Sequence, residues 1–173
     1  IITDNNIEST NFLFSESIAR MGKLEQILEA NDVVSIGGFI GKTKDDIITT
    51  YERGGSDRSA ADLGILFHKK YDVIIDLEKD SSVVSADPKI VKDELDAVNE
   101  LSYNEARLAG MFGMKIVDPI AIKEILENGV EIPLTITNMK SPKKITRIRR
   151  NPNDKSGHPL KIVTGKKNCA ILR

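Results

Sequence analysis

The sequence has little that would suit a disulfide-rich, metal-centred or membrane-embedded protein. Its 173 residues include one cysteine, Cys169, and two histidines. A single cysteine excludes an internal disulfide framework and a multi-cysteine zinc site, and we predict no metal-binding residues. No serine or cysteine has an evident histidine and aspartate partner, which argues against covalent hydrolase chemistry. Apolar runs stay well short of the ~20 residues of a membrane span, and no signal peptide is evident, so we expect a cytoplasmic protein.

An excess of charge of one sign is also missing. The 25 basic and 26 acidic residues give a net charge of -1, which argues against a wholly basic nucleic-acid module. The balance hides a local excess, because residues 139–155 carry seven basic side chains and one acid, Asp154. With Pro142, Pro152 and Pro159 in or just after this stretch, we predict a basic linker over residues 139–159. A solvated connector is favoured there over a nucleic-acid contact, since no aromatic residues are interleaved.

Strand and helix patterns alternate along the chain and predict an α/β domain with a largely parallel sheet. Helical spacing of apolar residues runs from Ile18 to Leu28, and a second helix is predicted from Ser56 to about Lys69. Ser102 and Glu105 form a capping-box pattern, and Pro119 opens a helix that stops at Asn128-Gly129. The predicted strands are residues 33–36, which end at Gly37-Gly38, and residues 47–50, 73–75, 131–137 and 160–164.

The strongest local signal is Arg53-Gly54-Gly55-Ser56-Asp57. Two glycines let the backbone approach a ligand closely, and Ser56 suits the N-cap of the following helix. The free N–H groups of a helix start attract phosphate or carboxylate, and Arg53 adds a planar fork that binds a carboxylate. The alternative is a tight turn with an ordinary cap and a surface Arg–Asp pair.

A second glycine-rich segment, Gly37-Gly38-Phe39-Ile40-Gly41, is weaker on its own. It lacks the ending of a P-loop and the spacing of a dinucleotide fingerprint. Two such loops at strand ends nevertheless fit the rule that α/β sheets bind ligands beyond the carboxyl ends of their strands. Lys115 is ambiguous between a solvated lysine and a phosphate ligand.

Taken together, these segments resemble the aspartokinases of the amino-acid kinase family. The resemblance rests on Gly38 to Gly41, Thr49-Thr50 and Arg53 to Ala61 in order and spacing. Further matches are Ala86 to Val91, Glu100 to Ala106, Phe112 to Lys115 with Pro119, and Val163 to Asn168. The opening Ile2-Thr3-Asp4 matches a place in the middle of the family's catalytic domain.

The resemblance implies a fold and a domain order. Residues 1–138 would be the carboxyl-terminal half of a three-layer αβα catalytic domain. Residues 139–159 would be the linker, and residues 160–173 the first strand of an ACT-like α+β regulatory domain. The intact protein would dimerise through its ACT regions, which in the family bind feedback amino acids such as lysine or threonine.

The resemblance also implies an activity, the transfer of the γ-phosphoryl group of Mg-ATP to the β-carboxylate of L-aspartate. Phe39, Arg53 and Ser56 would contact aspartate, and Asp57 would help order the transfer site as the catalytic residue. Lys115 and Lys89 would face ATP. The loop backbone that approaches the ligands would be that of Gly38, Gly41, Gly54 and Gly55.

Two features depart from the family pattern. Glu78-Lys79-Asp80-Ser81-Ser82 replaces an acidic, glycine-ending run where ATP binds, so a non-catalytic amino-acid-binding regulatory paralogue is the alternative. The family's Lys-Phe-Gly-Gly-Thr-Ser phosphate loop does not occur in these residues. We therefore expect this chain by itself to be catalytically inactive.

Overall fold

The chain folds into two units, and each combines helices with strands. The structure, a computed structural model, describes residues 1–88, 90–92, 95–152 and 160–165. Unit 1 is Ile1–Val73 and unit 2 is Ile74–Arg173. Within the described residues, no helix combines the length and the apolar character that crossing a membrane requires. The helices are α1 (Phe14–Ile18), α2 (Gly22–Glu29), α3 (Gly55–Phe67), α4 (Tyr103–Met111) and α5 (Pro119–Glu127), and the strands are β1 (Ile40–Lys42), β2 (Ile48–Thr50), β3 (Ile75–Lys79), β4 (Glu100–Ser102), β5 (Leu134–Asn138) and β6 (Thr146–Arg149).

Unit 1 is built around an antiparallel pair of short strands followed by its longest helix. Strands β1 and β2 pair with Gly41 opposite Thr49. The turn between them is held by Thr43, whose hydroxyl accepts hydrogen bonds from the amides of Asp45 and Ile47. The chain then enters α3, which carries the predicted ligand signature at its first turn.

Unit 2 contains a four-stranded mixed sheet in the order β3-β5-β6-β4. The β3–β5 and β4–β6 pairs are parallel, whereas β5 and β6 are antiparallel. Alternate residues of β5 are buried, so one face of the strand packs in the core. Helix α4 packs against β4, β6 and α5, and fully buried isoleucines at 122 and 125 join α5 to the core.

The predicted helix boundaries in unit 2 are confirmed. The Ser102 hydroxyl accepts from the Glu105 amide at 3.1 Å, and the Glu105 carboxylate accepts from the Ser102 amide at 2.6 Å, which completes a capping box. Pro119 is the first residue of α5, after the N-cap Asp118. Helix α5 ends at Glu127, and Asn128 is its C-cap residue. Gly129 follows with a φ of 67°, which glycine adopts without strain.

Two of the predicted strands and one predicted helix differ in detail from the structure. The fully described segment 33–36 forms no strand, and Val33 is 87% exposed. An apolar run becomes a buried strand only when other strands pair with it, and none of the strands in the described residues does so. The predicted strand at 73–75 instead begins at Ile75. The helix predicted from Ile18 corresponds to α2, which begins at Gly22, whereas α1 ends at Ile18. The sheet of unit 2 agrees with the predicted largely parallel type in two of its three strand pairs, and the β5–β6 pair is antiparallel.

The basic stretch after residue 138 is partly sheet rather than linker. Strand β6 hydrogen-bonds to both β5 and β4, so residues 146–149 belong to the sheet of unit 2. The predicted strand at 160–164 is represented by one isolated bridge, between Ala86 and Val163. Residues 153–159 and 166–173 lie outside the described residues. The ACT assignment of 160–173 stays a prediction.

Candidate functional site

The start of α3 is shaped by two adjacent glycines. Gly54 is the N-cap residue with a φ of 90°, a left-handed conformation that side chains other than glycine adopt with strain. The helix begins at Gly55, so the prediction that Ser56 is the N-cap is wrong, and Ser56 lies in the first turn instead. Backbone amides of Gly55 and Asp57 are bonded to the carbonyls of Glu52 and Gly54. These hydrogen bonds fix the turn. The left-handed conformation at its N-cap explains why Gly54 is a glycine.

The loop that contains Phe39 lies against this helix start. Phe39 has a φ of 71°, and its amide donates to the Ser59 hydroxyl at 3.0 Å. Ser59 in turn donates to the Gly55 carbonyl at 2.9 Å. A Cβ at Gly55 would lie 2.7 Å from the Phe39 ring, and one at Gly38 would lie 3.1 Å from the Ser59 hydroxyl. Close packing thus requires glycine at position 55, whereas a side chain at position 38 would need the Ser59 hydroxyl to move slightly.

The side chains that sequence reasoning assigned to aspartate come together at this place. Arg53 and Ser56 are exposed beside the helix start, and Phe39 is 39% exposed against Gly55. Asp57 is half-buried in the first turn of α3, where a negative charge complements the positive end of the helix dipole. An arginine and a serine hydroxyl beside the positive end of a helix form an arrangement that suits a carboxylate or phosphate.

Gly41 has a different environment from the other loop glycines. A Cβ there would lie 2.5 Å from the Thr3 methyl group and 3.2 Å from the Thr49 hydroxyl. These two threonine hydroxyls are 2.7 Å apart and buried. The close approach that Gly41 permits is therefore to the first residues of the chain.

Unit 2 contains a cavity of about 590 Å³, within the size range of small-molecule sites. Lys79 is the last residue of β3, Asn138 is the last residue of β5, and the two are paired in register. Both line the cavity, which therefore lies at the carboxyl ends of parallel strands.

The cavity wall carries more positive than negative side chains. Lys115 lines it, next to Gly113, whose φ is 102°. The other charged residues of the wall are Lys79, Lys140, Lys144, Asp80 and Asp87. The structure thus brings Lys115 together with three further lysines, an arrangement that suits a polyanionic ligand. Lys89 lies outside the described residues.

Asn138 organises this wall and was missed by sequence reasoning, as were Lys140 and Lys144. Its side-chain amide donates to the Ser82 hydroxyl at 3.3 Å, and its side-chain oxygen accepts from the Lys140 amide at 2.8 Å. It therefore joins the segment after β3 to the segment after β5. The sequence feature that could have identified Asn138 is its position as a polar residue at the carboxyl end of an apolar strand.

No preformed metal site accompanies these residues. Over the ranges that the structure describes, histidine, cysteine, aspartate and glutamate side chains form no group of three or more that could hold a metal ion. A cation at either place would thus need oxygen ligands from a bound substrate.

Comparison with known proteins identifies the family. The model of the amino acid kinase family matches residues 3–138. Aspartokinase 1 of Bacillus subtilis is 30% identical over 146 residues, which are 83% of this chain and 35% of that protein. The bifunctional aspartokinase/homoserine dehydrogenase 2 of Arabidopsis thaliana is 33% identical over 160 residues, 92% of this chain and 17% of that protein.

The fold agrees with solved structures. Escherichia coli aspartokinase III in complex with aspartate and ADP gives a TM-score of 0.75 at 23% identity, over 89% of this chain and 34% of that one. The chain therefore spans only part of the length of the proteins it matches. Since the family model covers well over half of its residues, the chain belongs to the amino acid kinase family.

Proposed function

We propose that the protein containing this chain is an aspartate kinase, which transfers the γ-phosphoryl group of ATP to the β-carboxylate of L-aspartate. The observation that carries the proposal is that one chain supplies both a helix start flanked by Arg53 and Ser56 and a lysine-lined cavity, each within its own unit. The relatives named above, which are aspartokinases, make aspartate the substrate to test first.

In unit 1, aspartate would bind at the start of α3. The Arg53 guanidinium would donate hydrogen bonds from its planar fork to a carboxylate, and the Ser56 hydroxyl, beside the positive helix start, would donate to the same or a second carboxylate. Phe39, fixed by its bonds to Ser59 and Tyr51, would form the wall of the pocket. Asp57 would order the phosphoryl-transfer site from the first turn.

In unit 2, the residues present fit a nucleotide. Its triphosphate carries several negative charges, and the four cavity lysines supply a matching positive wall. Phosphoryl transfer depends on positioning and charge neutralisation rather than on covalent catalysis, and lysines provide both. Lys115 would contact the phosphates from the Gly113 turn, and Lys89 is proposed for the same role.

A magnesium ion is proposed as the companion of ATP. It would neutralise phosphate charge, and it is commonly held by one or two carboxylates together with phosphate oxygens and water. Asp80 and Asp87 line the same cavity and are carboxylates of this kind.

The alternative, a regulatory paralogue without ATP, is not favoured by any observation in the structure. It rested on the Glu78-Lys79 departure from the family pattern. Lys79 lines the cavity at the end of β3 and adds positive charge there. That charge favours binding of a phosphate.

Regulation of the intact protein is also part of the proposal. A second Escherichia coli aspartokinase III structure contains lysine and aspartate, and its TM-score with this chain is 0.67. Lysine or threonine would act as the feedback amino acid, and a homodimer would form through ACT regions beginning near residue 160. A cytoplasmic location and the inactivity of this chain by itself stay predictions from the sequence.

The test is aspartate-dependent ADP release by the full-length protein, with the two substrates assigned to the two units by mutation. Arg53→Ala is expected to raise the KM for aspartate by about 10–100-fold, the effect of losing a charge-assisted bond, and to leave the KM for ATP unchanged. Lys115→Met should raise the KM for ATP about tenfold and leave the KM for aspartate unchanged.

Lys123→Met is the matched control. This lysine is exposed on α5, where it is paired with Glu127 at 3.6 Å, and it does not line the cavity. Its removal should leave both KM values unchanged. A full-length protein that releases no ADP in response to aspartate, or an Arg53→Ala variant that loses only ATP affinity, would contradict the proposal.

A further inference from the structure

A cluster of three polar side chains is buried beneath the candidate aspartate-binding loop. Tyr51 is 1% exposed, Arg58 is 3% exposed and Asp62 is fully buried. Fully buried arginine and aspartate are rare, and such groups stabilise a fold no better than well-packed apolar side chains. A specific geometric role is the better-attested reason for a buried polar cluster.

The three side chains contact one another directly. The Tyr51 hydroxyl donates to Asp62 Oδ2 at 2.5 Å. The Arg58 guanidinium lies over the Tyr51 ring, 4.8 Å from its centre, and also donates to the Thr10 carbonyl at 3.2 Å. The ring of Tyr51 is therefore fixed at its hydroxyl and on one face, from two positions one turn apart on α3.

Tyr51 is also the residue that joins β2 to both parts of the candidate site. Its amide donates to the Phe39 carbonyl at 3.0 Å. Its Cβ fills the space that a side chain at Gly55 would need. A shift of Tyr51 would therefore move the left-handed Phe39 and the first residue of α3 together.

We propose that Tyr51 and Asp62 are positioning residues that fix the Phe39 loop and the start of α3 in the geometry that binds the carboxylate substrate. The proposal rests on the proposed function for the identity of that substrate. Arg58 supports the pair by covering the Tyr51 ring. The pair acts through Phe39, Arg53 and Ser56 and does not itself touch the substrate.

The experiment uses the full-length protein and the substitution Tyr51→Phe, which keeps the ring and removes the hydroxyl. The KM for aspartate should rise about tenfold, the loss of one hydrogen bond to a charged group, while the KM for ATP changes less than about twofold. A purely structural defect would lower the amount of active protein and leave both KM values as they were.

Asp62→Asn is the second variant, and it covers the case in which Tyr51→Phe folds poorly. The amide oxygen still accepts from Tyr51, but the bond is no longer charge-assisted and is weaker. Its KM for aspartate should therefore rise above that of the wild type, by less than about tenfold, while its KM for ATP stays unchanged. Tyr71→Phe is the control, since Tyr71 is 37% exposed and packs edge-on against Phe67.

Amide hydrogen exchange separates this proposal from the proposed function. Tyr51→Phe and Asp62→Asn should both speed exchange at residues 37–41 and 53–59, whether or not the protein phosphorylates aspartate. A wild type without aspartate kinase activity would overturn the proposed function, and the exchange result would still decide the positioning role. Unchanged exchange in both variants, or equal rises in the two KM values, would overturn the positioning role.

Discussion

The two units hold their candidate sites by different means. In unit 1 the site depends on backbone shape, with a left-handed Gly54, a left-handed Phe39 and a Gly55 that has no room for a side chain. In unit 2 the cavity depends on charged side chains from separate segments, at residues 79–88, 113–116 and 138–144. Shape-dependent sites should fail abruptly on substitution, whereas charge-dependent sites should weaken by degrees.

The largest effect is expected from Gly55→Ala in unit 1. The added methyl group would overlap Tyr51 and the Phe39 ring, which should lower the free energy of unfolding by about 1–3 kcal/mol. Displacement of the loop should weaken aspartate binding about 100-fold. Calorimetry with aspartate and urea denaturation of the full-length protein measure the two effects.

Gly37→Ala is the control for this change, because nothing lies within 4 Å of a Cβ at that position. It should bind aspartate as the wild type does. If Gly55→Ala also behaved as the wild type, the description of unit 1 as shape-dependent would be wrong.

A smaller effect is expected from the cavity lysines of unit 2. Lys140→Ala and Lys144→Ala should each raise the KM for ATP about fivefold, as expected of exposed ion pairs, without changing stability. The effect should shrink as salt is added, since salt screens exposed charges. Lys143→Ala, an exposed lysine that does not line the cavity, is the matched control. If the KM for ATP rose equally in all three variants, the effect of each lysine would not depend on whether it lines the cavity.

Loss of the capping box should affect only stability. Ser102→Ala removes the acceptor for the Glu105 amide and should lower the free energy of unfolding by about 1 kcal/mol. Both KM values should stay unchanged, because neither side chain of the box lines the cavity. Ser15→Ala, at an exposed position in α1, should leave stability unchanged in the same urea titration. A changed KM for ATP in Ser102→Ala would show that this end of unit 2 is coupled to the cavity.

The smallest expected effect is a pH dependence of the free energy of unfolding that comes from Glu105. Partial burial raises the pKa of this carboxyl group, but bonds from the Ser102 amide and hydroxyl and from Lys161 outweigh burial and lower its pKa overall. The carboxylate therefore stabilises the fold above the ordinary pKa of about 4.3, and this contribution is lost as the pH falls through the lower folded value.

The measurement is urea denaturation of wild type and Glu105→Gln at several pH values. The variant should be less stable than the wild type at pH 7, and the difference should narrow at low pH. Glu127→Gln, at an exposed ion pair on α5, controls for the loss of one negative charge. A difference that does not vary with pH would mean that the bonds of Glu105 do not depend on its charge.

Local features were predictable because their causes lie within a few residues. The capping box, the Pro119 start and the Gly129 ending depend on hydrogen bonds and φ angles inside one turn of chain. The ligand signature at the start of α3 was predictable for the same reason, although its N-cap was placed at Ser56 instead of Gly54.

Features that depend on distant partners were not predictable. Residues 33–36 have the composition of a buried strand, yet none of the described strands pairs with them. Residues 146–149 have the composition of a linker, yet they pair with both β4 and β5. In each case the outcome was set by pairing between segments far apart in the chain, which composition does not report.

The sequence by itself determined the family resemblance, the mixed α/β character and the glycines and arginine that shape the start of α3. Only the tertiary structure decided that Lys79, Lys115, Lys140 and Lys144 share one cavity, and that Tyr51 and Asp62 meet under the loop. The physical reason is the separation along the chain of the residues that interact. A turn is fixed by the conformations of adjacent residues, whereas a cavity or a buried polar pair is fixed by strand register and helix packing.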